Sequence, residues 1–392
     1  FDAALAARQA AGRPLRAEEL LVVRAPVAPE LNAAIPLGEA ARIAKAQNKK
    51  AVRWYSGLEL RAWTPEIRQE FVVFRDSADG DRMREYMEEA LKRPACRFEE
   101  IAPDDRQLGA ALRWDFFCYC VGVTSSLGAL SALEGDSATA CAILGALLRL
   151  SWLAEDDVTL WSSEGAYGEN TALRTIAALV EGHLLASADV AALQNVLAQR
   201  PEPRSRLWTF RRYALGTLEA FSAHIQMMSG WGNPLRAGQW GGAMRPFVIR
   251  DGREYLAMLE AYEQVADAPF VELAAVRKTV HARPLPYGCW ITEHGRGMDM
   301  ALVQQHERAG VFVLAKTALA LEQCRYATGV YPATLDAVPD TLRSCPPVDS
   351  FGGAPLRYRV DNGAILLYSV GPDMVDNGGR YGTDDVVWRN VP

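Results

Sequence analysis

The chain is 392 residues long, with 49% hydrophobic residues, 23% charged residues and a formal net charge of −6. That balance is ordinary for a soluble globular protein with a large core, and it excludes wholesale disorder, a collagen repeat and a small disulfide scaffold. An acidic balance also argues against nucleic acid as a partner, because such binding needs a basic footprint.

Residues 1–110 read as a mixed N-terminal region. The opening segment is a short amphipathic helix leading into a loop at Gly12–Pro14. Asp2 and Arg8 interrupt it, so it is not itself a signal sequence, and a membrane anchor removed upstream of Phe1 is compatible with this start. Leu15–Arg24 is a helical candidate, and Pro26, Pro29 and Pro36 break the chain beyond it. Ile35–Lys50 is predicted helical, with Lys45, Lys49 and Lys50 near the end that favours cations. Phe71-Val72-Val73-Phe74 reads as a short strand or a buried run, and Asp81–Lys92 as a helix ending before Pro94.

Residues 111–280 read as a helical scaffold. The stretch Phe116–Leu133 carries no charge and touches the lower limit for a membrane span. Gly122, Thr124, Ser125, Ser126 and Gly128 inside it favour a buried helix, paired through Glu134-Gly135-Asp136 with a second apolar helix over Ser137–Ala154. Further helices are predicted at Thr171–Ala186 and Ala188–Gln199, the latter with Ser187 as N-cap. In Leu207–Ser229, apolar residues recur in steps of three and four. Helices are also predicted at Glu254–Ala266 and Phe270–Val280. The hairpin texture suggests a solenoid, but no fixed period supports a repeat family.

A Pro- and Gly-rich loop over 281–298 marks the best domain boundary. Residues 299–392 then form a separate lobe. Asp299 can cap a long helix over Met300–Ala327, which Gly329 stops. Leu302, Val303, Phe312, Val313, Leu319 and Leu321 are its expected core face against a sheet. A short helix over Leu335–Val338 precedes strands at Leu356–Val360 and Ala364–Val370, joined by the hairpin signal Asp361-Asn362-Gly363. A third strand is expected at Val386–Trp388. The fold class is thus mostly α with a small α+β C-terminal domain.

The lobe also resembles the major pseudopilins of type II secretion. The likeness covers residues 300–392, about a quarter of the chain, and rests on three features in order. LEQCRYATGVYPATLDAV matches a helix running into a Gly-x-Tyr-Pro turn. Asp349–Tyr358 is similar to an Asp-Pro-Trp-Gly segment, and Ile365–Val370 with Gly371-Pro372-Asp373 to a strand and its Ser-x-Gly-x-Asp loop. The chain departs from the family in the long stretch before the helix, and in the adjacency of Asp384 and Asp385, which the family separates by one residue. As a whole it resembles bacterial envelope proteins that join an anchor, an Ala/Leu-rich helical region and a pilin-like tail; Cys96-Arg97-Phe98, Leu133-Glu134-Gly135-Asp136 and the closing SVGPDMVDNGG carry that likeness. The resemblance implies a cell-envelope location on the periplasmic side, a pilin-like fold, and other envelope or secretion proteins as partners.

The Gly- and Asp-rich loop over Gly371–Asp385 is the strongest candidate site. Asp373, Asp376, Asn377, Asp384 and Asp385 alternate with Gly378, Gly379 and Gly382. Calcium takes six to eight oxygens in flexible geometry, and short acids on a glycine-rich turn can supply them. The spacing is not that of an EF-hand, and the plain alternative is a solvated turn. The pseudopilin loop binds calcium, so the resemblance implies the same here.

Other chemistry finds little support. The five histidines show no HExxH spacing, and no GxSxG, Walker or GxGxxG motif occurs. Seven cysteines include no CxxC pair, so zinc spacing is absent and at least one is without a partner in this chain. Glu155-Asp156-Asp157 reads as a solvated helix end, and the ten tryptophans read mainly as core. These readings combine into a non-enzymatic envelope protein: a helical scaffold with a calcium-stabilised, pilin-like lobe. The alternative is a periplasmic or secreted hydrolase with its site among the helices and the 229–243 loop. A deep cleft with converging acids or histidines would favour the hydrolase; an open groove would favour the scaffold.

Overall fold

A computed structural model describes residues 2–15, 17–20, 26–48, 63–101, 106–155, 163–202, 205–216, 245–284, 292, 296–343, 345–361, 363–380 and 382–388. Among the described residues the protein is mostly helical, with one three-stranded antiparallel sheet. It divides into two compact units, each assembled from separated stretches. One holds residues 1–24, 203–307 and 350–353; the other holds 25–202, 308–349 and 354–392. The sequence segments 1–110, 111–280 and 299–392 are therefore each shared between the two units.

The first unit contains α1 (Asp2–Ala10), α10 (206–216), α11 (Arg245–Val265), α12 (Phe270–Ala282) and the first turns of α13 (Met300–Thr328). Phe210, Tyr255, Leu259, Tyr262 and Phe270 form its buried aromatic centre. The Phe210 and Tyr262 rings meet edge to face at 5.9 Å, and Tyr255 donates its hydroxyl to the Ala214 carbonyl at 2.8 Å. Asp251 accepts both the amide and the hydroxyl of Thr292, at 2.9 and 2.7 Å.

The second unit holds α2 (Ala34–Asn48), α3 (Pro65–Arg75), α4 (Ala78–Leu91), α5 (Arg106–Asp115), α6 (Val121–Leu133), α7 (Ser137–Ala154), α8 (Ser163–Glu181), α9 (Ser187–Ala198) and the rest of α13. Phe71–Phe74 is helical, which corrects the strand reading. Thr64 caps α3 by accepting the Ile67 amide, and Pro65 fits its first turn. Phe71 and Phe74, three residues apart, then share the buried face, while Val73 is 61% exposed.

Between α5 and α6 the chain winds one π-turn over Phe116–Cys120. The α6–α7 hairpin turns where the sequence places it: Gly135 takes φ 89 and Asp136 caps α7 through the Thr139 amide at 3.0 Å. At α9 the cap differs from expectation. Ala186 occupies the N-cap position and Asp189 reaches back to its amide at 3.1 Å. Ala111–Leu133 and Ser137–Ala154 are long and apolar enough to cross a membrane. Their apolar windows are 78% and 56% buried inside the protein, and Ser125 on α6 is hydrogen-bonded to Thr175 on α8. With that surface already covered by protein, residues 1–392 should stay in the supernatant when expressed without detergent. A chain recovered only from the membrane fraction would instead make these helices spans.

From Arg308 onward α13 shares a unit with the sheet, and Phe312, Leu319 and Leu321 are buried in its core with Ile365, Leu367 and Trp388. Leu302 and Val303 are also buried, but in the first unit, so only part of the expected face packs beside the strands. Gly329 ends α13 at φ 82, and a 3-10 turn comes next at Leu335–Ala337. Strands β1 (Arg357–Asp361), β2 (Ala364–Ser369) and β3 (Val386–Val387) lie in sequence order. Asp361 pairs with Ala364, which leaves the two-residue turn that an Asn-Gly hairpin requires.

Candidate functional site

The acidic loop leaves β2 at Gly371. This residue has φ 68, and a Cβ on it would stand 1.7 Å from the Asp384 carbonyl oxygen, so the two ends of the loop meet where no side chain fits. Asp373 accepts the Val375 amide at 2.9 Å and the Asn377 side-chain amide at 3.3 Å. Asp376 faces other donors: the Tyr368 hydroxyl at 2.8 Å, the Gly378 amide at 2.9 Å and Arg357 Nε at 3.1 Å. The Tyr368 hydrogen bond, helped by Gly378 and Arg357, holds the Asp376 carboxyl below the usual carboxylate range. Burial and the adjacent Asp376 push the Tyr368 hydroxyl up to about 12. Asp385 is buried and accepts the amides of Asn377 at 3.4 Å and Gly379 at 2.7 Å. Asp384 is exposed.

The loop thus brings Asp373 and Asn377 together, sets Asp385 against the backbone of the same turn, and sends Asp376 to the sheet. As arranged, the acids of the loop are engaged by hydrogen bonds and are not gathered around one point. Among the described residues no three His, Cys, Asp or Glu side chains gather as ligands of one ion would. The oxygens of Asp373, Asp376 and Asp385 accept N–H or O–H donors, and the cation beside Asp376 is Arg357. Calcium added to the chelated protein should leave the melting temperature unchanged, whereas Arg357→Gln should cost about 0.5–1 kcal/mol, as a half-exposed ion pair does. A calcium-dependent rise in melting temperature that Asp376→Asn abolishes would show that the loop rearranges into a cage.

Charge is gathered more strongly at places that no local motif marks. In the second unit Glu169 on α8 is fully buried. It accepts Trp152 Nε1 at 2.8 Å, pairs with Arg200 at 2.8 Å and pairs with Arg308. The same Arg308 nitrogen reaches Glu155, so that residue is not a solvated helix end; Asp156 and Asp157 lie outside the described residues. The Arg200 guanidinium lies over the Phe312 ring at 4.1 Å. A second cluster surrounds Glu322 on α13, buried and held by Arg325 and by the hydroxyl of Tyr331, the tyrosine of the Gly-x-Tyr-Pro turn. In the first unit Glu263 on α11 accepts Arg8 and Arg211, and Asp299 accepts Arg277 and His281.

Most of these partners are far apart in the chain, and no spacing rule could have paired them. Chemically they are posts: each carboxylate is neutralised by the cations and donors packed against it. Of the histidines, His183 stands at φ 53 with Nδ1 3.9 Å from Glu322, and His306 is buried. His224, His294 and the 229–243 loop assigned to the hydrolase alternative lie outside the described residues. Trp63, Trp152 and Trp388 are core residues, while Trp114 is 57% exposed. A shallow depression lies beside α3, lined by Glu66, Glu70, Val73 and Phe74 of that helix, by Gln47 from the end of α2 and by Asp79 from the first turn of α4.

No protein-family model matches the chain, and no curated protein or solved structure is significantly similar to it.

Proposed function

We propose that this chain is a non-enzymatic protein of the cell envelope, a helical scaffold whose pseudopilin-like lobe binds other envelope or secretion proteins. The observation that carries the reading is the order of structure after Arg308. A long helix stops at a left-handed glycine, and the Tyr331 turn is tied back to that helix through Glu322. An antiparallel hairpin comes next, then an acidic loop folded on its own hydrogen bonds, then a third strand.

A photo-cross-linking residue at Val330, which is 67% exposed, tests the reading in cells producing the native-length protein. Fractionation should place the protein in the envelope, and irradiation should join it to an envelope or secretion protein. Recovery in the cytosol without adducts would overturn the proposal.

A further inference from the structure

We propose that the outer edge of β1 pairs with the same edge of a second copy of this chain, antiparallel about a two-fold axis at Val360. β1 is an end strand of the sheet. Backbone groups along an antiparallel strand point alternately to one side and to the other. Leu367 turns its carbonyl to the β3 side, where it accepts the Trp388 amide at 3.0 Å. Its partner on β1, Tyr358, therefore turns its amide and carbonyl away from β2, and so does Val360, two residues further on. Among the described residues no hydrogen bond reaches the outward amide or carbonyl of Val360, and the residue is 38% exposed.

An open edge invites pairing with another chain, and charged side chains along it are the usual guard. Here the guard excludes every two-fold register but one. Arg357, Arg359 and Asp361 alternate with Tyr358 and Val360, so the three charges share one face of the sheet. A two-fold centred on Tyr358 sets Arg357 directly against Arg359 of the other copy. One centred on Arg359 sets the two Arg359 side chains against each other. Centred on Val360, each Arg359 stands opposite Asp361 of the other copy, and no like charges are opposed.

The backbone agrees with that register. Val360 meets Val360 with its outward amide and carbonyl, a hydrogen-bonded pair that exchanges both bonds across the axis. The Arg359 and Asp361 side chains are 57% and 59% exposed and bridge each other within the strand at 2.6 Å, so both are at the surface and able to reach across. The pairing joins two sheets into one continuous sheet. The strand is five residues long, so the dimer is small, weak and reversible. It does not depend on the proposed envelope role.

Sedimentation equilibrium of residues 1–392, taken to high protein concentration, should show a monomer–dimer equilibrium. Arg359→Asp and Asp361→Arg each oppose like charges at both cross-strand pairs, and each should weaken the dimer at least about tenfold. A mixture of these two variants restores both opposite-charge pairs between unlike chains and should associate as the parent does. The double variant should regain the homodimer. Loss of the bridge within the strand cannot mimic this, because each chain of the mixture still lacks it. A parent that stays monomeric, single variants that dimerise like the parent, or a mixture or double variant that fails to regain association would each overturn the pairing.

Discussion

Glu263→Ala is expected to destabilise the protein by about 3–5 kcal/mol, the usual cost of stripping one partner from a buried ion pair. Arg8 and Glu263 have side chains only 1% and 4% exposed, so the arginine left behind could not reach water without undocking α1. Arg8 is committed elsewhere too, donating Nε to the Pro14 carbonyl at 3.0 Å, which ties the turn after α1 to the same point. Burial alone would raise the Glu263 carboxyl, but the hydrogen bonds from Arg8 and Arg211 outweigh it and hold it below the usual carboxylate range. Its stabilising contribution is therefore present above the ordinary carboxylate pKa and lost as the pH falls through the depressed one. Arg211 is 23% exposed and can turn to solvent, so Arg8→Met combined with Glu263→Met should recover most of the loss. Urea unfolding of the single and double variants measures the coupling. Additive losses would show that Arg8 and Glu263 do not act as a pair.

What the sequence made legible was local. The α6–α7 hairpin, the long α13 helix and the turn between Asp361 and Ala364 were readable because each is set by residues within one turn of it: Asp136 as cap, Gly329 as stop, two residues between paired strands. Phe71–Phe74 misled because aromatic and β-branched residues favour strands, and the Thr64-Pro65 start upstream outweighs that preference. At α9 the sequence offered Ser187, and Asp189 does the capping. The acidic loop was legible as a cluster, but not in its hydrogen-bond partners. Arg357 and Tyr368, which neutralise and orient Asp376, come from β1 and β2, and only the register of the sheet brings them there. The buried pairs were beyond reach for the same reason: 255 residues separate Arg8 from Glu263, and 139 separate Glu169 from Arg308. So was the division into two units, which depends on which distant stretches pack together.

Arg308→Met and Glu155→Gln should have very different effects, although they remove parts of the same contact. Arg308 joins Glu155 to Glu169, and burial works against its charge, but the two carboxylates outweigh that and raise its pKa. Losing it leaves Glu169 fully buried with only Arg200 and Trp152, and should cost about 3 kcal/mol or more. Glu155 is in the opposite position. Burial, only partly opposed by Arg308, raises its carboxyl above the ordinary value, and the nearby Glu169 charge adds to the shift. A carboxyl whose folded pKa is raised adds stability at low pH and loses it as the pH climbs through the folded value. At neutral pH the ionised Glu155 is therefore a net burden, and a glutamine can keep a hydrogen bond to Arg308 without carrying the charge. Glu155→Gln should be neutral or stabilising by up to about 1 kcal/mol at pH 7, and destabilising relative to the parent only in acid. Urea midpoints at pH 4 and pH 7 separate these outcomes. If Glu155→Gln proved as damaging at pH 7 as Arg308→Met, then Glu155, and not Glu169, would be the carboxylate that Arg308 exists to neutralise.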